Sequence, residues 1–309
     1  MRLLPLFIYI ALSLSTSAQI QVTENRQHHF PNDIPAGDYS GITWLGGNRY
    51  AVVSDKSAKD GFFVFQIDID SISGEILSAR DLGFHSSGFA NRDQEDIAYI
   101  PETDKLLIVG EAGNRILEYN IDGIRTLREV QLPARYQHLP PNLGLEALTY
   151  NPKTRTLWTC NETDSIFIQQ MDSLFMPQAT FHYSLDAPKG DVSKAQSYAH
   201  GVGTLCALDD GTLLVLEREF YVPKAKLGAF VSCKLYHFYP NLLKKELVSS
   251  WTTKLSLFGR SLANYEGMCL GPTLVDGSRV IILVADSQHQ YCGVLKDWLK
   301  TLKITTSSK

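Results

Sequence analysis

Residues 95–113 have the sequence EDIAYIPETDKLLIVGEAG, and residues 146–164 have the sequence EALTYNPKTRTLWTCNETD. In each stretch a glutamate precedes an apolar run, a polar turn and a second apolar run that stops at another glutamate. The separation is 16 residues in both, from Glu95 to Glu111 and from Glu146 to Glu162. Two apolar runs joined by a polar turn predict a β-hairpin, which brings its two ends together. Both acids of a pair should therefore lie at the same end of their hairpin.

Three weaker copies extend this pattern. They are SGITWLGGNRYAVVSD at residues 40–55, GTLCALDDGTLLVLE at residues 203–217 and EGMCLGPTLVDGSRVIILVAD at residues 266–286. The five copies begin 55, 51, 57 and 63 residues apart. Repeats of this length that are built from short strands are typical of β-propellers. We predict an all-β protein with a single closed β-propeller of four-stranded antiparallel blades. Five blades are favoured, and six are the alternative if residues 218–265 hold another.

The last unit is one strand short of a full blade. It offers candidate strands at 268–270, 279–285 and 293–299, after which the chain ends. We predict that the segment from Ile20 to Thr23 supplies the missing outer strand. This would close the ring by joining the two ends of the chain, and it would cover an exposed sheet edge.

Residues 1–18 have the features of a signal peptide. Arg2 provides a positive end, LLPLFIYIALSL is an apolar stretch, and Thr16-Ser17-Ala18 offers small residues for cleavage. The apolar stretch is too short to favour a membrane span, an uncleaved anchor being the alternative. We expect an exported protein, periplasmic or extracellular, with a propeller domain over residues 19–309 and no stable membrane span in the mature chain.

Charge and cysteine content exclude some classes of function. The net charge is −4, which gives no electrostatic case for a nucleic-acid partner. None of the five cysteines forms a CxxC pair, so a zinc site is not predicted. An odd number of cysteines leaves at least one free thiol. Cys160, Cys206 and Cys269 lie in apolar runs and are expected to be buried, and a Cys269–Cys292 disulfide is an alternative.

The acids at the hairpin ends predict a cation site. If the hairpins stand around one axis, these carboxylates converge on one face, where they raise each other's pKa values. A hard cation relieves the repulsion, and Ca²⁺ accepts carboxylate oxygens in flexible geometry. The alternative is structural, with each acid accepting backbone N–H bonds from the next turn. The candidate ligands are Glu95, Glu111, Glu146, Glu162, Glu217, Glu266 and Asp286, with Asp55 and Asp96 as further candidates.

A bound cation would suit an anionic small-molecule substrate, since it would polarise a phosphoryl oxygen and lower the pKa of a bound water. The predicted catalytic residues are Glu95, Glu146 and Glu266. The candidate phosphate- or ligand-binding residues are Arg92, Arg115, Arg218 and His200. The sequence has no GxSxG elbow, no phosphate-binding GxxxxGKS/T loop and no HExxH motif. Hydrolysis by a metal-activated water is therefore favoured over a covalent nucleophile.

Several motifs together resemble those of a known family. NYEGMCLGP at residues 264–272, with DGSR at 276–279 and LVAD ending at Asp286, resembles the terminal motif of the phytase-like family, also called "esterase-like activity of phytase". ALDDGTLLVLERE at residues 207–219 is similar to its Asp-Gly…Leu-Glu-Arg motif. NLGLEAL at residues 142–148 and DQEDI at residues 93–97 are similar to two further acidic motifs. The resemblance covers about residues 38–290.

The resemblance implies an exported β-propeller with a role in phosphoester hydrolysis. The sequence departs from the family's Glu-Gly pair in four units, which have Ser40-Gly41, Glu95-Asp96, Glu146-Ala147 and Gly203-Thr204. We therefore expect a cation-dependent hydrolase site for a phosphoester or related ester on the acid-rich face. The alternative is a non-catalytic propeller that binds a ligand or a protein partner on that face.

Overall fold

The computed structural model describes residues 19–140, 143–162, 165–256 and 260–307. The predicted signal peptide lies outside the described residues. Within them the protein is all-β, and its strands form five four-stranded antiparallel sheets, as expected for propeller blades. No helix in this part of the chain is long and apolar enough to cross a membrane.

Four of the sheets follow the chain order from their first strand to their last. The first contains β2 (Tyr39–Gly46), β3 (Arg49–Ser54), β4 (Lys59–Ile69) and β5 (Ile76–Ala90). The second contains β6 (Gln94–Ile100), β7 (Lys105–Gly110), β8 (Arg115–Asn120) and β9 (Arg125–Glu129). The third contains β10 (Leu145–Asn151), β11 (Thr156–Asn161), β12 (Ile166–Met171) and β13 (Pro177–Tyr183). The fourth contains β14 (Ala195–Ala207), β15 (Leu213–Pro223), β16 (Phe230–Tyr239) and β17 (Lys244–Lys254).

The fifth sheet joins the two ends of the chain. It contains β18 (Asn264–Thr273), β19 (Arg279–Asp286), β20 (Leu299–Ser307) and, outermost, β1 (Gln19–His28). β1 pairs antiparallel with β20, from Gln19 opposite Ser307 to His28 opposite Leu299. The prediction that the N-terminal segment supplies the missing outer strand is confirmed.

Helices are few and short in the described residues. The α-helix α1 spans Tyr291–Val294, and three 3-10 turns span Ala134–His138, Val192–Lys194 and Pro240–Leu242. The prediction of a strand at 293–299 is wrong, because the end of α1 and a loop at residues 295–298 occupy this segment and the third strand begins at Leu299. Leu295 in that loop is fully buried in the core beside the fourth sheet, which explains its apolar character.

The segment 218–265 adds no sheet in the part that the structure describes. Its residues extend β15 and supply β16 and β17, all in the fourth sheet, before β18 begins. β14 and β15 are longer than their counterparts, with 13 and 11 residues, which accounts for the length of this unit.

Apolar side chains fill the spaces between neighbouring sheets. Five buried clusters lie between the first and second, second and third, third and fourth, fourth and fifth, and fifth and first sheets. The first strands follow the same cyclic order, since β2 contacts β6, β6 contacts β10, β10 contacts β14, β14 contacts β18, and β18 contacts β2. At this last contact a Cβ on Gly267 would lie 2.8 Å from the Cα of Gly41, so two glycines allow the strands to approach.

Four cysteines, Cys160, Cys206, Cys233 and Cys269, are buried free thiols. The alternative of a disulfide at Cys269 is therefore wrong. Burial raises the pKa of all four thiols, which keeps them protonated and unreactive.

Candidate functional site

Each sheet has a β-bulge in its first strand at the residue where the sequence repeat begins. A bulge leaves one residue outside the ladder and redirects its side chain. Three of the five bulges carry a glutamate. The unpaired residues are Ser40, Glu95, Glu146, Gly203 and Glu266.

The second strand of each sheet brings one more residue to the same end. The residue just before each bulge pairs with a residue of the second strand, and the next residue along the second strand is the one meant here. It is acidic in four of the five sheets. The residues at this position are Asp55, Glu111, Glu162, Arg218 and Asp286. We call these five residues and the five bulge residues the acidic mouth.

Electrostatic coupling shows that the glutamates of different sheets lie close together. Burial is the main cause that raises the pKa of Glu95 well above its usual value, and the charges of Glu146 and Glu266 raise it further. The charges of the three acids predicted to be catalytic therefore act on one another. Burial and the charge of Glu266 likewise raise the pKa of Asp286.

Arg218 lies among three glutamates of the acidic mouth. Its Nη2 is 2.8 Å from Oε1 of Glu266, 3.4 Å from Oε1 of Glu162 and 3.6 Å from Oε1 of Glu146. The guanidinium is buried, and the three carboxylates raise its pKa, so it stays charged. Arg218 thus compensates the negative charge on one side of the mouth through ion pairs with its carboxylates.

The glycine at the fourth bulge makes room for this arginine. A Cβ on Gly203 would lie 3.1 Å from the backbone oxygen of Tyr265 and 3.4 Å from the side chain of Arg218. The fourth unit therefore lacks an acid at the bulge and supplies a cation from its second strand.

The opposite side of the mouth holds two groups of acids without this arginine. One group is Asp38, Asp55 and Asp286, in which each residue offers a carboxylate oxygen within 4.8 Å of the others. Oδ1 of Asp55 is buried and has no hydrogen-bond partner, which is costly for a carboxylate oxygen. His289 covers part of this group, with Nδ1 2.9 Å from Oδ2 of Asp38.

The second group is Asp93, Glu95 and Glu111, whose oxygens also lie within 4.8 Å of one another. Lys56 stands between the two groups, 2.7 Å from Asp93 Oδ1 and 2.9 Å from Asp55 Oδ2. It neutralises one charge only, so this side of the mouth keeps an excess of negative charge.

Glu111 has the structural role that was considered as the alternative to cation binding, because it accepts a backbone N–H bond. Its Oε1 accepts a hydrogen bond of 2.6 Å from the backbone N–H of Gly144, ahead of the next sheet. Asp96 is similar and lies deeper, fully buried, accepting from the backbone N–H of Leu148 at 2.9 Å. Asp96 is therefore a fixed part of the scaffold beneath the mouth.

Glu217 does not join the other candidate ligands. Its carboxylate accepts from the Tyr183 hydroxyl at 2.9 Å and the Lys245 amine at 2.5 Å, on the side facing the third sheet. The sheet register places Arg218 at the position of Glu111 and Glu162, whereas sequence alignment on the acid had placed Glu217 there.

Two of the four predicted ligand-binding residues have partners elsewhere. Arg92 directs its buried guanidinium to the hydroxyl of Tyr119 at 3.3 Å and to Asp60 at 3.6 Å. Arg115 pairs with Glu129 at the exposed surface.

His200 lies beside the mouth. It shares a small cavity of about 10 Å³ with Arg218, Glu217 and Glu219, and burial lowers the pKa of its imidazole.

Sequence reasoning missed three polar residues that lie beside the acidic mouth, namely Asp38, Asp93 and Asn264. Asn264 is fully buried, donates to Glu266 Oε1 at 2.9 Å, and leaves its own Oδ1 without a partner. Each precedes a bulge residue by two positions, and that shared offset was the signal that could have found them.

The buried acids predict a pH dependence of stability. Burial, the leading cause, raises the pKa of Glu266 from 4.5 to about 7, so the folded state binds more protons than the unfolded chain between these values. Unfolding free energy without metal should therefore rise on acidification from about pH 8 to about pH 5.5, Glu266 alone contributing on the order of 2 kcal/mol. Urea titrations in chelator test this. Glu266→Gln should flatten the profile, and a stability that falls across the range would contradict the assignment.

None of the curated proteins matches the chain. Among solved structures, it is similar to the endo-arabinase from Bacteroides thetaiotaomicron VPI-5482, with 13% identity, 89% of this chain and 95% of that chain covered, and a TM-score of 0.47. A luciferin-regenerating enzyme has 9% identity, 88% and 80% coverage, and a TM-score of 0.42. A chain of a nidogen/laminin complex has 10% identity, 70% and 81% coverage, and a TM-score of 0.37.

The sequence itself gives the family. The sequence model of the phytase-like family, described as esterase-like activity of phytase, matches residues 34–289. This range includes every position of the acidic mouth and most of the chain. The protein therefore belongs to the phytase-like family.

Proposed function

We propose that the protein is an exported β-propeller and that its five sheets are the blades of one closed ring. The cyclic contacts of the first strands support the closure, as do the five apolar clusters between successive sheets. The apolar N-terminal residues with a small-residue cleavage site support export.

We propose further that the acidic mouth is a cation-dependent hydrolase site for a phosphoester or related ester. The observation that carries this proposal is the repeated bulge, which helps to bring carboxylates from four sheets to one end, where Arg218 contacts those of the third and fifth sheets. Membership of the phytase-like family supports hydrolysis as the activity.

The residues present fit a hard cation. Asp38, Asp55 and Asp286 offer three oxygens at mutual distances that one ion spans, and Asp55 Oδ1 is a buried acceptor that lacks a donor. Oxygen-only ligands suit Ca²⁺, which we propose as the first candidate. The group at Glu95 and Glu111 has the same chemistry and is the second candidate position.

The chain's own residues suggest how the mouth would work. A bound cation would supply Lewis acidity toward an ester oxygen and would acidify a bound water. Glu266, with a pKa of about 7, can hold or release a proton at neutral pH, as a general acid or base must. Arg218 fixes the orientation of Glu266 at 2.8 Å and acts as a positioning residue. Glu95 and Glu146 line the same space.

An activity screen tests the proposal. The mature protein would be assayed on phytate, simple phosphomonoesters, phosphodiesters and carboxyl esters, with added Ca²⁺, with added Mg²⁺ and with chelator. We expect turnover of at least one ester class that chelator abolishes and that Glu266→Gln lowers by about 100-fold or more, as for loss of a general acid or base. Asp122→Asn, in an exposed turn at the other end of the second sheet, is the matched control.

Cation binding also predicts a change in stability. A ligand that binds only the folded state stabilises it by about 2.7 kcal/mol at 100 times its dissociation constant. Added Ca²⁺ should raise the melting temperature, and chelator should lower it. Asp55→Asn should blunt this response while Asp122→Asn should not. A melting temperature indifferent to Ca²⁺, Mg²⁺ and chelator would remove the reason to propose a metal site.

One observation favours the alternative of a non-catalytic binding propeller. Arg218 already compensates three glutamates, including two of the proposed catalytic acids, Glu146 and Glu266. On this alternative the mouth holds a ligand or a protein partner without turnover. Ca²⁺ would then raise the melting temperature, but no ester in the screen would be hydrolysed.

A further inference from the structure

The five first strands enclose a cavity at the end opposite the acidic mouth. Its volume is about 350 Å³, which lies within the range of small-molecule sites. All five sheets contribute to its walls, because the cavity lies where the hairpin turns of their first two strands come together. Its lining is largely apolar, in contrast to the carboxylates of the mouth.

The same repeat that places glutamates at the mouth places apolar side chains here. The residues four positions after the bulges all line the cavity, and three of them are aromatic. They are Trp44, Tyr99, Tyr150, Ala207 and Leu270. Ala207 leaves a gap in this apolar ring, and the ring is therefore asymmetric.

The polar atoms of the aromatic residues are satisfied at the rim. Nε1 of Trp44 donates to the backbone oxygen of Gly47 at 3.0 Å, and the Tyr99 hydroxyl donates to Asp104 at 2.8 Å. The Tyr150 hydroxyl donates to Glu102 at 3.2 Å. With these atoms held outward, the ring faces are fixed for contact with an apolar ligand.

One positively charged side chain, that of Arg279, lines the cavity. Arg279 donates from Nη2 to the backbone oxygen of Gly271 at 3.1 Å, while its Nε is buried without a hydrogen-bond partner. Its Nη1 lies 3.6 Å from Oδ2 of Asp209, and Lys153 is closer to that carboxylate, at 2.7 Å. Two cations thus share one acid, and this side of the cavity keeps a net positive charge.

Asp96 separates this cavity from the acidic mouth. Its carboxylate accepts from the backbone N–H groups of Ile97 and Leu148 at 2.8 and 2.9 Å. It also lies 3.4 Å from the hydroxyl of Thr204, two sheets further round, so it spans the space between the first strands. The cavity and the acidic mouth are therefore separate binding positions, the first favouring an anion and the second a cation.

We propose that this cavity is a second ligand site, for a small planar aromatic carboxylate. The ring of such a ligand would stack among Trp44, Tyr99 and Tyr150, and its carboxylate would accept from Arg279. The acidic mouth would repel the same anion, so the site adds a binding function independent of hydrolysis.

The test uses 2-naphthoate as the probe and calorimetric titration of the full mature chain. We expect saturable one-to-one binding, with 2-naphthalenemethanol, the uncharged analogue, binding about tenfold more weakly because it lacks the charge-assisted hydrogen bond. Trp44→Ala and Arg279→Gln should each weaken 2-naphthoate binding by about tenfold or more. Circular dichroism would confirm that each variant is folded.

Two controls decide the location. Glu266→Gln alters the opposite end, and Arg80→Gln removes an exposed arginine that contacts Gln66. Both should leave 2-naphthoate binding unchanged. The proposal is overturned by absence of saturable binding, by equal affinity for the uncharged analogue, or by binding that Glu266→Gln weakens and Trp44→Ala does not. If Arg279→Gln fails to fold, Trp44→Ala, at a half-buried position, decides the outcome.

Discussion

Replacing Arg218 with leucine should lower the free energy of unfolding by about 3–5 kcal/mol near neutral pH, the cost of breaking a buried ion pair. The substitution leaves Glu146, Glu162 and Glu266 without their shared cation in a buried space. Urea unfolding of the mature protein measures the loss. The loss should shrink at about pH 5.5, because the glutamates can then bind protons instead.

Two variants make this prediction specific. Arg80→Leu removes an exposed arginine and should change stability by less than about 0.5 kcal/mol. Combining Arg218→Leu with Glu266→Gln should cost less than the sum of the two single changes, since the second removes a charge that the first left unpaired. A strictly additive double variant, or an Arg218→Leu protein as stable as the wild type, would show that the arginine is not the compensating charge.

Deletion of residues 19–28 should have the second large effect. It removes β1 and exposes the full length of β20 as an unpaired edge. It also removes Asn25, which donates to Thr301 at 3.1 Å, and Gln27, which accepts from the Tyr265 hydroxyl at 3.0 Å. We expect a loss on the order of 5 kcal/mol, from the backbone and side-chain hydrogen bonds together, and concentration-dependent association.

A peptide supplied separately tests whether strand pairing is the cause. Residues 19–28 as a synthetic peptide, QIQVTENRQH, should restore the melting temperature of the truncated protein by adding a strand to the open edge. A peptide of the same composition in scrambled order should not. If deletion leaves both melting temperature and monomeric state unchanged, β1 is dispensable for the fifth sheet.

The strand arrangement was predictable because it follows from local patterns. Apolar runs, polar turns and equal spacing of Glu95–Glu111 and Glu146–Glu162 were enough to place the hairpins. The strand β20 begins later than predicted because the loop before it contains the apolar residues Leu295 and Trp298. Leu295 in that loop packs into the core, and composition cannot distinguish such a loop from a strand.

The site was only partly predictable, since its geometry depends on one-residue shifts of register. In the second and third units the bulge and the acid are 16 residues apart, but from Gly203 to Arg218 the separation is 15. Alignment of the repeats on their second acid therefore assigns Glu217 to the mouth, although its side chain lies on the other side of β15 from that of Arg218. Asp60, the partner of Arg92, lies in β4 of the neighbouring sheet, and no local pattern indicates it. Glu129, the partner of Arg115, lies on β9, which pairs with β8.

The pairing of Gln19 with Ser307 has a consequence for the order of events in folding. β1 precedes the first four sheets in the chain and its partner β20 follows them, so the fifth sheet cannot form until the strands of the other four have been made. Its outer pair then closes a loop that contains the other four sheets, a contact of high sequence separation and therefore slow. Until β20 has formed, β1 has no partner strand in the fifth sheet, so we expect the pairing of these two strands to be a late step in folding.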